Sequence, residues 1–243
     1  MTGRRQHLEL GDEASGRLRT VLSLTEVSLR TRSTFIVRDV SLHLRQTELI
    51  VVSGLNGSGK TSLLRLCAGV RTPRDGTRSC RAPIGYVPAG ISPLPLTPSR
   101  WLQTFPRERL TDPRLLLEEL GFQGKFDRPM RELSFGNRRK LLLAELFSSN
   151  ADVLIVDEIA AGLDHAGISA VKRLVKRSQE RGAAVLLADQ ETGIDWNETR
   201  SYWMESGSLA ETAERPAIIQ LVGPVQNLEA MRDSARELNF RVV

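Results

Sequence analysis

The pattern of apolar and polar positions divides the chain into strand-like and helix-like stretches. Val21–Leu29 and Phe35–Leu44 alternate at a period of two, as antiparallel strands do. Leu49–Val52 is instead a continuous apolar run, the mark of a buried strand. Glycines follow at once, then a helical stretch over Lys60–Ala68 that Gly69 ends. Val153–Val156 and Ala183–Ala188 are further buried strands. Between them, Ile168, Val171, Leu174 and Val175 keep helical spacing in a helix of about Ala166–Glu180, closed by Gly182. Strands alternating with helices predict an α/β fold with a parallel sheet covered on both faces.

The stretch from about Gly90 to Arg131 breaks this rhythm. Pro93, Pro95 and Pro98 make a stiff entry, and Thr97 before Pro98 fits an N-cap with proline at the first helical position. Thr111 and Asp112 before Pro113 repeat the device ahead of Leu115–Leu120, with Gly121 as the C-terminal stop. A small helical subdomain inserted into the α/β core is expected, with Trp101 and Phe105 packing it or meeting a partner helix. Tyr202–Met204 and Ser208–Ala210 flank Gly207 as a hairpin. Beyond Arg215, Ile218–Val222, Leu228–Leu238 and Phe240–Val243 follow a β-α-β pattern, so 211–243 is expected to be a small extension. Residues 1–20 are polar and are expected to be a flexible tail.

Two motifs carry chemistry. Gly54-Leu55-Asn56-Gly57-Ser58-Gly59-Lys60-Thr61 matches the P-loop pattern GxxxxGK[ST] between a buried strand and a helix. Its glycines let successive N–H groups converge on phosphate oxygens at the helix N-terminus. Lys60 would reach the β- and γ-phosphates and the Thr61 hydroxyl would ligate Mg²⁺. Val153-Leu154-Ile155-Val156-Asp157-Glu158 is a buried strand tipped with two carboxylates. Asp157 would hold Mg²⁺ through its water shell, and Glu158 would take a proton from the attacking water as general base. A solvated acidic pair opening a loop is the plain alternative, disfavoured by the P-loop upstream. Leu133-Ser134-Phe135-Gly136-Asn137, ahead of a helical run Arg138–Phe147, is a weaker pattern that gains meaning from its place before the acid-tipped strand.

These three motifs in this order resemble the ATP-binding cassette (ABC) ATPases, over about Val21–Ala210. The P-loop resembles Walker A, Val153–Glu158 resembles Walker B with its glutamate, and Leu133–Asn137 resembles the LSGGQ signature. Ala161-Gly162-Leu163-Asp164 resembles the D-loop. The resemblance implies a P-loop NTPase fold with an ABC-type core (parallel sheet plus antiparallel β subdomain) over 21–210, and a short helical subdomain at about 90–148. It implies ATP bound by Gly54, Leu55, Asn56, Gly57, Ser58, Gly59, Lys60, Thr61 and Ser62, with Mg²⁺ at Thr61 and Asp157. It also implies head-to-tail pairing with a second ABC ATPase domain, whose nucleotide would meet Ser134, Gly136 and Asn137. Asp164 would sit at that junction, and His165 beside it has a surface or a dimer-contact reading. The function implied is ATP hydrolysis that powers a transmembrane permease subunit, with the chain peripheral on the cytoplasmic face of the membrane. The stand-alone ATPase and short helical insert make an exporter-type system the closest layout. A degenerate subunit that binds ATP with little hydrolysis, or a soluble ABC protein without a transport role, are the alternatives.

Five positions depart from the family pattern. Ala89 stands where the Q-loop glutamine is usual, and Gln190 stands where a histidine is usual. An amide can donate to phosphate but cannot take a proton at neutral pH. Phe135 replaces the first signature glycine and Asn137 its glutamine. No aromatic lies at Thr31, where one would stack on adenine. Glu158 is kept, so binding with slow or partner-dependent hydrolysis is expected, Glu158 and Gln190 being the catalytic candidates.

Composition narrows the partners. The 243 residues carry a net charge of +5, but no Lys/Arg block with interleaved aromatics, so no nucleic-acid partner is expected. Cys67 and Cys80 form no CxxC or Cys/His cluster, which argues against a structural zinc site or disulfide framework and fits a reducing cytoplasm. No apolar run approaches the roughly 18–20 residues needed to span a bilayer, so other chains would supply the membrane-spanning part.

Overall fold

The computed structural model describes residues 18–32, 34–90, 94–104, 108–189 and 194–212. In chain order these form β1 (Thr20–Thr31), β2 (Thr34–Arg45), β3 (Leu49–Gly54), α1 (Lys60–Ala68), β4 (Asp75–Cys80), β5 (Ile84–Val87), α2 (Pro98–Thr104), α3 (Pro113–Glu119), α4 (Phe135–Ser148), β6 (Val153–Val156), α5 (His165–Glu180), β7 (Ala184–Ala188), β8 (Arg200–Glu205) and β9 (Ser208–Thr212). Phe105, Gln190 and the terminal segments 1–17 and 213–243 lie outside the described residues.

Two sheets divide the strands. β2, β1 and β4 make an antiparallel sheet in that order. β5-β6-β7-β3-β8 run parallel, and β9 closes the edge antiparallel to β8 through a turn at Ser206 and Gly207. The continuous apolar runs explain the middle of this second sheet, where every residue of β3, β6 and β7 is buried. Alternate residues serve opposite cores. Leu49, Val51, Leu154, Val156, Val185 and Leu187 face the layer of α4, α5 and the shorter helices. Ile50, Val52, Val153, Ile155 and Leu186 face α1 and the antiparallel sheet.

Two strands were not expected. β4 (DGTRSC) has no apolar alternation and is held by its backbone ladder with β1. β5 has only four residues and pairs with β6 from Ile84↔Val153 to Val87↔Val156. The expected caps are in place. Thr97 Oγ1 accepts from the Arg100 N–H at 3.3 Å and Asp112 Oδ1 from the Arg114 N–H at 2.9 Å. Gly121, at φ +67°, follows α3. Glu119 at the end of α3 accepts from Arg173 at 3.0 Å and from Arg177, which fastens α3 to α5. Cys67 is buried, and burial pushes its thiol up to about 12, as suits a core residue. No helix of the described residues is long and apolar enough to cross a membrane.

Candidate active site

The parallel sheet brings the tips of β3, β6 and β7 to one edge, where open α/β sheets bind ligands. From β3 the chain turns through Gly54–Gly59 into α1. Gly59 caps α1 at φ +111° and supplies no side-chain cap to this helix start. A Cβ at Gly59 would lie 2.4 Å from the Ile36 carbonyl oxygen, so the close approach of β2 demands glycine. The first-turn N–H groups are thus left for an anion, with the helix dipole behind them. A cavity of about 320 Å³ opens there, lined by Ile36 and Glu158, by Asn56 and Gly57 of the loop, and by Lys60, Thr61 and Ser62 of the first turn of α1.

Lys60 is 5% exposed, and its ammonium donates to the carbonyls of Gly54 at 2.6 Å and Leu55 at 2.8 Å. Burial lowers its pKa from 10.5, while the negative charges of Asp157, Glu158 and Asp189 push the other way. Lys60 therefore lies in the field of three carboxylates carried by β6 and β7, one of which, Asp189, sequence reasoning passed over.

Asp157 is fully buried at the tip of β6, its N–H donating to the Val87 carbonyl at 2.9 Å. Burial raises its carboxyl above 3.8, opposed by the Thr61 hydroxyl, the Arg139 guanidinium and the Ala89 N–H. Those neighbours are close enough to act electrostatically, yet neither carboxylate oxygen completes a well-formed hydrogen bond. A buried carboxylate short of partners beside a hydroxyl fits Mg²⁺, which takes one or two protein ligands and completes its shell with phosphates and water. Among the described residues no group of three or more His, Cys, Asp or Glu forms an all-protein cage. Glu158 follows with φ +54°, a left-handed conformation unusual for a residue with a side chain, and it reaches the P-loop cavity. Asp189, 2% exposed, accepts from the Trp196 indole N–H at 2.7 Å.

The signature residues occupy a different surface, and none of them lines the P-loop cavity. Ser134 caps α4, its Oγ accepting from the Asn137 N–H at 3.2 Å. The Asn137 side-chain oxygen accepts from the Gln123 N–H at 3.0 Å. Gly136 backs on to the Gly162 carbonyl, which a Cβ would approach to 2.4 Å, so signature and D-loop touch through bare backbone. Phe135 is 45% exposed and its ring covers Gly162. Asp164 caps α5 by accepting from the Gly167 N–H at 2.7 Å, with the Lys140 ammonium 4.0 Å from its other oxygen.

Sequence reasoning missed three residues of the site. Ile36, not an aromatic, borders the cavity, while Phe35 is occupied by the Arg38 guanidinium 5.0 Å above its ring. Asp189 is the second. The third is Arg139, 1% exposed, which donates to the carbonyls of Pro88, Asp157 and Glu158. A signal for Arg139 was present: it lies three and four residues before the buried Leu142 and Leu143, on the helix face that enters the core.

Comparison with known proteins identifies the family. The family model described as "ABC transporter" matches residues 37–161. The zinc import ATP-binding protein ZnuC of Ruegeria sp. is 36% identical over 180 residues, 72% of each chain. ZnuC of Chromohalobacter salexigens is 35% identical over 182 residues, 72% of this chain and 75% of that one. ZnuC of Pseudomonas aeruginosa is 27% identical over 239 residues, 92% of this chain and 89% of its own. A solved ATP-binding subunit of an ABC transporter superposes with a TM-score of 0.70 at 20% identity, covering 92% of this chain and 95% of its own. A dimeric ATP-binding cassette bound to ADP and Pi superposes at 0.66 with 17% identity, covering 79% and 97%. Sequence match and fold together place the chain in the ABC transporter family, as an ATP-binding ATPase subunit.

Proposed function

We propose that this ATPase powers an importer whose cargo is a transition-metal ion, zinc in the first instance. The relatives compared above are all named for zinc import. The expectation of an exporter rested on a stand-alone ATPase with a short helical insert. The Pseudomonas import protein matches this chain over 92% of its length, so a separate ATPase chain does not distinguish export from import.

The observation that carries the site reading is that Lys60, Thr61 and Glu158 line one cavity at the N-terminus of α1. N–H groups of Gly54–Ser62 would bind the β- and γ-phosphates, and Lys60 would turn from the loop carbonyls to the phosphate oxygens. Thr61 and Asp157 would hold Mg²⁺, which supplies neutralisation of phosphate charge. Glu158 accepts a proton from the attacking water while the oxygen bonds to the γ-phosphorus and the bond to the β-phosphate oxygen breaks. Gln190 would donate to the γ-phosphate in place of a histidine. Ser134, Gly136 and Asn137 would meet the γ-phosphate held by a second cassette, with Asp164 at the same junction. Residues 90–148 are assigned as the helical subdomain, with the chain peripheral on the cytoplasmic face beneath a permease.

ATP-dependent uptake of zinc by vesicles that contain the chain and its permease tests the cargo. Uptake above that of a Glu158→Gln complex is expected. Outward movement, or equal uptake by both, overturns the importer. Ala89 favours a second reading, in which hydrolysis is slow without a partner. It offers Asp157 only a backbone N–H and has no side chain to hold water. Turnover of the isolated chain that the permease does not raise removes that reading.

A further inference from the structure

Arg139 stands in the second turn of α4 and heads the largest side chains buried below 2% exposure among the described residues. A guanidinium in a core needs partners for its donors. The hydrogen bonds that Arg139 makes all go to main-chain carbonyls. Nη1 donates to Pro88 at 2.6 Å and Nη2 to Glu158 at 2.9 Å and to Asp157, while the buried Nε has no hydrogen-bond partner among the described residues. Burial pulls its pKa down to about 10, while the negative charges of Asp157 and Glu158 hold it up.

The location of those carbonyls gives the contact its meaning. Pro88 follows β5 and precedes Ala89, whose N–H faces Asp157. Asp157 and Glu158 follow β6, and Glu158 has the left-handed φ of +54° that its neighbours must enforce. The same helix is capped by Ser134, on the surface assigned to a partner's nucleotide. One side chain thus ties α4 to the backbone that carries both site carboxylates.

We propose that Arg139 is a positioning residue for ATP hydrolysis: it fixes the Asp157–Glu158 backbone so that the Glu158 carboxylate enters the P-loop cavity, and it makes that aim depend on where α4 sits. This rests on Glu158 being the general base. The P-loop has no hydrogen bond to Arg139 among those described, so nucleotide binding depends on it far less than turnover does.

Arg139→Gln and Arg139→Lys in the full chain test it, Lys keeping the charge without the planar fork. Two readouts are taken, amide exchange over residues 157–161 without nucleotide, and kcat with KM for Mg·ATP. Exchange in Arg139→Gln is expected to rise about 10-fold or more in that segment, with Arg139→Lys between it and wild type. kcat should fall about 100-fold in Arg139→Gln while KM stays within about threefold. Exchange and kcat both within about threefold of wild type overturn the proposal. So does equal loss of ATP binding and turnover, or failure of both variants to fold, since either gives Arg139 a general structural role. If wild type shows no hydrolysis even with its permease, the reading of Glu158 as base fails, and the exchange measurement alone decides whether Arg139 holds the segment.

Discussion

Alanine at Gly59 and alanine at Gly57 should have unequal effects, and the structure says by how much. At Gly59 the new Cβ would lie 2.4 Å from the Ile36 carbonyl oxygen and 2.8 Å from the Met204 methyl. The methyl can move; the carbonyl belongs to β2 and cannot yield without moving the strand. The φ of +111° adds strain for any residue with a Cβ. Strain of about 1–3 kcal/mol and overpacking of about 1–3 kcal/mol give roughly 2–6 kcal/mol in all. At Gly57, φ is +78° and no atom lies within 4 Å of the added Cβ, so only the conformational term remains, about 1–2 kcal/mol. At about 2–4 °C per kcal/mol for a chain of this size, Gly59→Ala should lower Tm by roughly 4–24 °C and Gly57→Ala by roughly 2–8 °C. Relief of the clash must shift the first turn of α1, weakening one phosphate hydrogen bond at about 1.5–3 kcal/mol, or about 10- to 100-fold in ATP affinity. Gly57→Ala should leave affinity within about threefold. Thermal melts without nucleotide, then titration with a fluorescent ATP analogue, measure both. Equal loss in the two variants, or a Gly59→Ala protein that melts and binds like wild type, refutes the reasoning.

Three further perturbations have definite outcomes. Burial raises the Asp157 carboxyl above 3.8, so the contribution of Asp157 to stability declines as pH rises from 3.8 through the raised value. Asp157→Asn should lack that decline and melt no lower than wild type at pH 8 without Mg²⁺. Mg·ATP at 100 times its Kd should then stabilise wild type by about 2.7 kcal/mol and the variant much less. Burial would raise the Glu119 carboxyl, but hydrogen bonds from Arg177 and Arg173 outweigh it and hold it below 4.5. That contribution is present above pH 4.5 and is lost as pH falls through the lowered value. Glu119→Ala should lower stability by no more than about 1 kcal/mol, because both arginines are over half exposed, and salt should shrink the difference in denaturant unfolding. Trp196→Phe removes the buried donor 2.7 Å from Asp189 and should lower stability by about 1–3 kcal/mol in the same assay.

The P-loop and the acid-tipped strand were legible because their chemistry requires particular residues at fixed spacing beside buried strands. β3, β6 and β7 stood out through being buried on both faces, and α5 through its single apolar stripe. β4 could not be found from pattern, since a polar DGTRSC segment becomes a strand only by pairing with β1. β5 was too short to show a period. The contacts of Arg139 were hidden for another reason: which carbonyls it reaches depends on how α4 docks against β5 and β6, and spacing within one helix says nothing about that. The same holds for Ile36, which tertiary packing rather than local pattern brings over the P-loop.

The central claim is that Glu158 acts as general base on a nucleotide held by Gly54–Ser62. Steady-state ATPase turnover of the purified chain beside Glu158→Gln, with Mg·ATP binding measured in both, tests it most directly. The amide keeps the shape of the side chain and cannot take the proton. Wild type should hydrolyse ATP, and the variant should bind it with similar affinity while turning over about 100- to 10,000-fold more slowly. A variant that hydrolyses ATP within about threefold of wild type, or a wild type that binds Mg·ATP and never turns it over even with its permease, contradicts the account.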